Sequence, residues 1–268
     1  MARNSLKQVA RLIQTVQEET ATVEQSFLAD LKRSIELQDK KNNRPPSKTY
    51  KPSSMQCIRN MYYQVIGAEQ IDGESSSSLI GICNSGTDTH ARIQQSVIDM
   101  KSNGMDCEYV NVADFVRMRK LAFLSVVKEP DFENGDYETK LYDKVHNISF
   151  LCDGIIKYKG IYYILELKTE STNKFMMRKG VDKKHYDQGT TYSLLLGIDD
   201  VIFVYIDRDV YNMKSYKFTP TDDMKADILD RIAECNNYVT YGIVPPKPAM
   251  DSRVCQYCAY RTTCEVDG

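Results

Sequence analysis

From residue 5 to about 38, apolar side chains recur at helical spacing. Leu6, Val9, Leu12, Ile13 and Val16 fall on one stripe, and Val23, Phe27, Leu31 and Ile35 continue it with no Gly or Pro between them. The pattern predicts one long helix or a helix pair. "KKNNRPPSKTYK" (40–51) then brings five positive charges, no negative ones and two prolines, which predicts a linker. It is either a solvated tether or an arm that contacts phosphates. "GESSSSLIG" (73–81) predicts a flexible loop. From residue 86, "GTDTHARIQQSVIDMK" opens on Gly and capping residues and places His90, Ile93 and Val97 on one helical face. A second helical stretch is expected over 112–128. The period then changes to that of strands, over 136–145, 148–158 and 161–168, the last two joined by a tight turn at Lys159–Gly160. A polar, basic segment reaches about 182 and a helix is predicted over 183–197. "DVIFVYID" (200–207) reads as a buried strand and "SYKF" (215–218) as a shorter one. A helix over about 220–241 leads to "VPPKPAM" and a Cys-rich tail. No internal repeat is visible.

A chain of 268 residues with 42% apolar and 27% charged residues has the composition of a globular protein able to bury a core. Its formal charge of −2 excludes a general polycation, so nucleic acid would have to be met through local basic patches. No apolar run approaches the roughly 18–20 residues that span a bilayer. "MARNSLKQVARLIQ" lacks the apolar core of a signal peptide, and a cytoplasmic protein without membrane contact is expected. There is no Gly-Lys dipeptide, hence no P-loop, so any ATP-driven unwinding would fall to a partner.

"LCDGIIKYKGIYYILELKTES" (151–171) sets Asp153, Glu166 and Lys168 in strands that are apolar on both faces, as central strands covered by helices are. Glu166 and Lys168 point the same way along their strand, with Leu167 opposite. One hairpin separates Asp153 from Glu166, so the two carboxylates can converge at one end of neighbouring strands. Unpaired charges there cost several kcal/mol each. They are tolerated when they meet each other or a metal, and two hard oxygen ligands suit Mg²⁺ or Mn²⁺. An adjacent lysine can stabilise charge developing on a phosphate or position an attacking water. A structural ion pair at a strand end is the plainer alternative.

Asp153 followed by Glu166-Leu167-Lys168 resembles the PD-(D/E)xK nuclease superfamily. Two further elements resemble its RecB-like branch: Gln188-x-x-x-Tyr192 on the following helix, and His90 in "GTDTHARIQ" on a helix upstream of the aspartate. The resemblance implies that His90, Asp153, Glu166 and the Leu167 carbonyl hold the metal and that Lys168 is the catalytic lysine. Gln188 and Tyr192 would position the DNA strand or that lysine. Glu138 is a weaker candidate, explained as well by an exposed strand charge. The implied fold is a three-layer, restriction-endonuclease-like α/β core with a mixed central sheet. The N-terminal helical segment and linker would occupy 1–50 and the nuclease domain 51–268.

Eight cysteines in a cytoplasmic protein call for a reason other than disulfides. Cys83, Cys107, Cys152 and Cys235 are scattered, as small buried hydrophobes are. Cys255, Cys258 and Cys264 form C-x2-C-x5-C, a metal-ligand spacing that lacks a local fourth ligand. Cys57, in "MQCIRNMYYQV", resembles the upstream cysteine of RecB-like nucleases of the Cas4 and AddB type. The resemblance implies a [4Fe–4S] cluster on these residues that ties the two ends of the core together. A Cys₄ zinc site is the alternative that ligand chemistry leaves open.

Lys174, Arg178, Lys179, Lys183, Lys184 and His185 cluster between the Glu166 strand and the Gln188 helix. They form either a solvated loop or a track for DNA phosphates. With 18 tyrosines and no tryptophan, "IRNMYYQ" and "CQYCAYR" mix tyrosine with arginine in a way that can stack unpaired bases. The expected function is metal-dependent, exonucleolytic cleavage of single-stranded DNA or frayed ends, alongside a helicase or recombination partner. The alternative is a non-catalytic DNA-binding scaffold subunit of a recombination or CRISPR-adaptation complex.

Overall fold

The computed structural model describes residues 22–42, 47–70, 76–249, 255 and 258–268. The chain divides into two units, Met1–Pro45 with Ser75–Cys83, and Pro46–Glu74 with Asn84–Gly268. In the first, α1 (Val23–Asn42) carries Val23, Phe27, Leu28 and Leu31 exposed. Glu36 there accepts a hydrogen bond from the Ser77 amide. Residues 5–21 of the expected N-terminal helix, and 43–46 of the basic linker, lie outside the described residues.

The second unit holds α2 (Ile58–Ile66) and most of α3 (Ser77–Asp99), followed by β1 (Cys107–Val110), α4 (Val112–Met118) and β2 (Leu124–Lys128). Next come β3 (Thr139–Asp143), β4 (Ile148–Cys152), β5 (Gly154–Tyr158) and β6 (Ile161–Glu170). After α5 (Thr172–Met177) and α6 (Tyr186–Leu196) come β7 (Val201–Asp207) and β8 (Met213–Phe218), and α7 (Asp222–Tyr241) and α8 (Arg261–Val266) complete the described elements. A five-stranded sheet has the order β1-β5-β6-β7-β8, and a three-stranded sheet the order β2-β3-β4. The larger sheet is mixed: β6 pairs antiparallel with β5 and parallel with β7. The parallel pair is bridged by α5 and α6, as a crossover requires.

Strand alternation divides the core into two layers. Leu165 and Leu167 of β6, with Ile156 and Ile206, pack on Ile93 and Val97 of α3. Ile164, with Ile155, Val201, Phe203 and Tyr205, packs the other way among Tyr192 and Leu195 of α6 and Ile228 and Ile232 of α7. Helices therefore flank the mixed sheet on both faces, which is the three-layer restriction-endonuclease-like core.

Several local expectations are corrected. The segment 148–158 is two strands in two sheets: Cys152 ends the pairing with β3 opposite Thr139, and Gly154 begins the pairing with β6 opposite Leu165. Asp153 is the residue at the switch. The stretch 112–128 is a short helix and then a strand, because Lys120 turns the chain with a φ of 53° and β-branched Val126 and Val127 follow. Of the expected loop 73–81, residues 77–81 are helical: the Ser76 side chain accepts from the Leu79 amide and starts α3, so the serine run caps a helix. The basic segment before 182 includes the short helix α5. The Lys159–Gly160 turn is as expected, with positive φ of 50° and 81°.

Gly154 leaves room for the Tyr109 ring, since a Cβ there would lie 2.6 Å from Cε2 and 3.2 Å from Cζ. Gly154→Ala should therefore cost about 1–3 kcal/mol through overpacking. Urea unfolding checks this, and a variant as stable as the wild type would show that the contact yields without strain.

Candidate metal centre and active site

The switch at Asp153 brings residues from separate layers together. The Asp153 side chain turns toward β6, where Oδ2 accepts from the Leu167 amide at 2.7 Å. Its Oδ1 lies 3.5 Å from His90 Nδ1, carried by α3. Its backbone carbonyl accepts from Gln94 Nε2 at 2.6 Å, one helical turn beyond His90. Asp153 is 7% exposed and Glu166 is 3% exposed. Continuing the antiparallel register from Gly154 opposite Leu165 sets Asp153 opposite Glu166.

Glu166 Oε1 accepts from Lys168 Nζ at 2.5 Å and from Gln188 Nε2 at 2.6 Å. Gln188 is in turn 2.9 Å from the Tyr192 hydroxyl, which donates to the Leu151 carbonyl at 2.7 Å. This chain of bonds runs from the Glu166 carboxylate through Gln188 and Tyr192 of α6 to Leu151 near the end of β4. Gln188 and Tyr192 are buried, so what they hold directly is Glu166. Glu166 Oε2 is buried with no hydrogen-bond partner among the described residues. Leu167 enters the centre through its amide.

Among the described residues, His90, Glu138 and Asp153 are the group whose ligand atoms all lie within 4.8 Å of one another. An imidazole with two carboxylates is a donor set for Mn²⁺ or Mg²⁺. The orphaned Glu166 oxygen is a further unsatisfied acceptor beside Asp153. The residues present therefore fit a divalent cation.

The electrostatics follow from this packing. Burial raises the Glu166 carboxyl to about 7; the Lys168 ammonium opposes the shift and the Asp153 charge adds to it. Burial would also raise Asp153, but the His90 hydrogen bond, Lys168 and the Leu167 amide together hold it below the ordinary value. Desolvation works against the charge on Lys168, yet Glu166 and Asp153 outweigh it and keep its pKa raised. His90 is likewise raised, by Asp153 against its own burial. The centre thus holds an ammonium beside carboxylates that carry more negative charge than their donors satisfy.

The basic segment is less free than its sequence implies. Arg178 makes a bidentate pair with Glu170 at 2.6 and 2.7 Å and lies over the Tyr205 ring at 3.8 Å. Lys174 pairs with Asp182 at 3.1 Å and Glu170 at 3.6 Å. Lys179, Lys183 and Lys184 are exposed. The Lys184 ammonium is nonetheless lowered, first by desolvation and then by Lys174, with Lys168 contributing. His185 stacks with Phe203 and Tyr205, and its Nδ1 is 2.9 Å from the Tyr205 hydroxyl.

The cysteines of the tail approach the start of the core. Cys57 is the residue before α2, and the backbone amides of Arg59 and Asn60 reach its sulfur. Its thiol is raised by burial and, to a lesser degree, by the nearby Cys258 and Cys264. Burial also raises Cys258, with Cys264 and Cys255 adding to it. Cys258 and Cys264 pack against the main core, Asn60 Nδ2 lies 3.5 Å from Cys258 Sγ, and all four cysteines are free. Among the described residues, no three of these sulfurs lie within 4.8 Å of one another.

Gln94 and Tyr109 were not singled out from the sequence. Gln94 could have been, since it lies four residues beyond His90 on the same helical face. Tyr109 carries no such signal, because its hydroxyl acts across elements, 3.2 Å from the carbonyls of both Tyr137 and Asp153.

No family model and no curated protein matches the chain. Among solved structures it is similar to that of SSO0001, with 19% identity and a TM-score of 0.49 over 90% of this chain and 98% of that one. It is also similar to LHK-Exo in complex with dAMP, at 13% identity and a TM-score of 0.42 over 73% of this chain and 92% of that one. A second structure of LHK-Exo, an alkaline exonuclease from Laribacter hongkongensis, shares 13% identity at a TM-score of 0.36 over the same fractions. At these identities and scores the likenesses carry no part of the functional reading.

The aromatic stack makes His185 a source of acid sensitivity. Desolvation is the main cause that lowers its pKa from 6.5 to about 2, with Lys168 and Lys184 adding to it. A depressed base binds its proton in the unfolded chain first. Its contribution to stability is therefore complete above about pH 6.5 and is lost progressively as pH falls, by up to about 1.4 kcal/mol per pH unit. His185→Gln should flatten the decline of the urea midpoint between pH 7 and pH 5. Parallel declines in variant and wild type would show that His185 is protonated in the folded protein.

Proposed function

We propose that this chain is a metal-dependent deoxyribonuclease acting on single-stranded DNA or frayed DNA ends. One observation carries the reading. Glu166, opposite Asp153, has one oxygen saturated by Lys168 and Gln188, while the other is buried without a hydrogen-bond partner among the described residues. An unpaired carboxylate oxygen in a sheet interior, next to a second buried carboxylate, is a position where a cation would restore the balance.

His90, Asp153, Glu166 and the Leu167 carbonyl would hold Mg²⁺ or Mn²⁺. When bound, the cation supplies Lewis acidity to a phosphodiester oxygen and acidity to its water. The chain's own residues do the rest. Glu166 and Asp153 keep Lys168 protonated, so its ammonium faces the negative charge that grows on the phosphate in the transition state. Gln188 and Tyr192 lock Glu166 Oε1, which leaves Oε2 as the free acceptor. The exposed Lys179, Lys183 and Lys184 would neutralise flanking phosphates. Lys174 and Arg178, already paired with carboxylates, would shape that loop and meet DNA only by exchanging partners, with His185 packed beneath them.

Cys57, Cys255, Cys258 and Cys264 would hold a [4Fe–4S] cluster in a structural role. The free thiols, and the helix amides aimed at Cys57, support this assignment. Ligand binding by residues so distant in sequence becomes folding free energy.

Anaerobically purified protein should degrade end-labelled DNA with Mn²⁺ or Mg²⁺ and not with chelator. Glu166→Gln and Lys168→Ala should each lower the rate by about 10²–10³. A folded, cluster-loaded wild type that leaves every DNA substrate intact would favour the scaffold reading instead. The same preparation should be brown and carry iron, and Cys57→Ser should lose both the iron and thermal stability. Zinc in place of iron would replace the cluster with a Cys₄ zinc site.

A further inference from the structure

We propose that Glu138 is a ligand of the catalytic cation, carried to it by a hydrogen-bonded tie through Tyr109. This rests on the metal-dependent reading of the same centre and adds a residue to it. The Glu138 carboxylate is within 4.8 Å of ligand atoms of both His90 and Asp153. It accepts no hydrogen bond and makes no ion pair among the described residues, and burial raises its pKa, with Asp153 adding to the shift. The carboxylate is partly exposed and lies against the His90–Asp153 pair without a protein donor among the described residues. Opposite Asp153 in the β5–β6 register, Glu166 Oε2 is a second acceptor without a protein donor among the described residues, on a side chain 4% exposed. The Glu138 and Asp153 carboxylates repel one another at this separation, and a cation between them and the His90 imidazole would remove that repulsion.

The position of Glu138 is built before any ion arrives. It stands next to Tyr137, whose hydroxyl donates to Gln95 Oε1 at 2.7 Å, on the helix that carries His90. The Tyr109 hydroxyl is shared between the carbonyls of Tyr137 and Asp153, each at 3.2 Å. It therefore fixes the backbone beside Glu138 to the backbone of Asp153. Phe132 packs on both Tyr109 and Tyr137, with ring centroids 6.1 and 5.8 Å away. Gly154 supplies the space that lets the Tyr109 ring reach this point. His90, Glu138 and Asp153 thus come from a helix, the start of one sheet and the switch into another, and Tyr109 is the positioning residue that links two of them.

Mn²⁺ binding to the DNA-free protein, followed by electron paramagnetic resonance and calorimetry, tests this without relying on cleavage. Glu138→Gln should weaken Mn²⁺ binding by about tenfold or more, and Tyr109→Phe by less. The exposed control Glu133→Gln should stay within about twofold of wild type. In the absence of metal, Glu138→Gln should unfold at the wild-type temperature or above it, since a repelled carboxylate has been removed. Unchanged Mn²⁺ affinity in Glu138→Gln would overturn the proposal even if the wild type cleaves DNA. Wild type that binds no Mn²⁺ would overturn it too. Weakened Mn²⁺ binding in a protein that cuts no DNA would leave Glu138 a ligand and refute only the nuclease activity.

Discussion

Two carboxylates buried on adjacent strands constrain everything around them. Asp153 and Glu166 face each other across the start of the β5–β6 pairing, and each is held by donors from different layers: the Leu167 amide and His90 for one, Lys168 and Gln188 for the other. Burying one unpaired charge costs several kcal/mol, so such a pair persists only where cationic and N–H partners converge. The surroundings supply them from both faces of the sheet. α3 brings His90 and Gln94, α6 brings Gln188 and Tyr192, and β6 itself brings Lys168. The partners come close to balance and stop short of it, and the remaining deficit is what a divalent cation would fill.

Much of this was legible in the chain, for identifiable reasons. Period-two alternation marks β6, and the parity of Glu166 and Lys168 sets them on one face, where the structure pairs them. Gln188 and Tyr192 at helical spacing meet each other, and what Gln188 holds is Glu166, whereas the expected partners are a DNA strand or Lys168. The switch at Asp153 was not legible, because 148–158 places apolar residues on both sides of Asp153 and a continuous strand has the same pattern as two strands in different sheets. Glu138 was ambiguous for a related reason. Its neighbourhood is made by Tyr109 and Gln95, which local sequence does not connect to it. Arg178 read as a free cation because its partner Glu170 closes the β6 strand, where a terminal carboxylate looks solvent-exposed.

The tail is tied to the start of the core by more than its cysteines. Arg59 of α2 donates to the Gly268 carbonyl at 2.9 Å, and the Tyr63 hydroxyl donates to Asp267 at 2.7 Å. Gln70 donates to the Tyr260 hydroxyl at 3.1 Å, and Tyr63 and Tyr260 pack ring on ring. Arg59 is 1% exposed, so this junction is part of the interior. A metal site on Cys57 and the tail cysteines would reinforce an existing seam, which fits a structural role better than electron transfer.

The central claim is that the carboxylates at the sheet switch are arranged for a cation. The most direct measurement is the unfolding temperature of the protein during titration with Mn²⁺. The account predicts a rise that grows with concentration, worth about 2.7 kcal/mol at a hundredfold excess over Kd. It also predicts that Asp153→Asn shows no rise. An unchanged wild-type unfolding temperature across the titration, or an equal rise in Asp153→Asn, would contradict it.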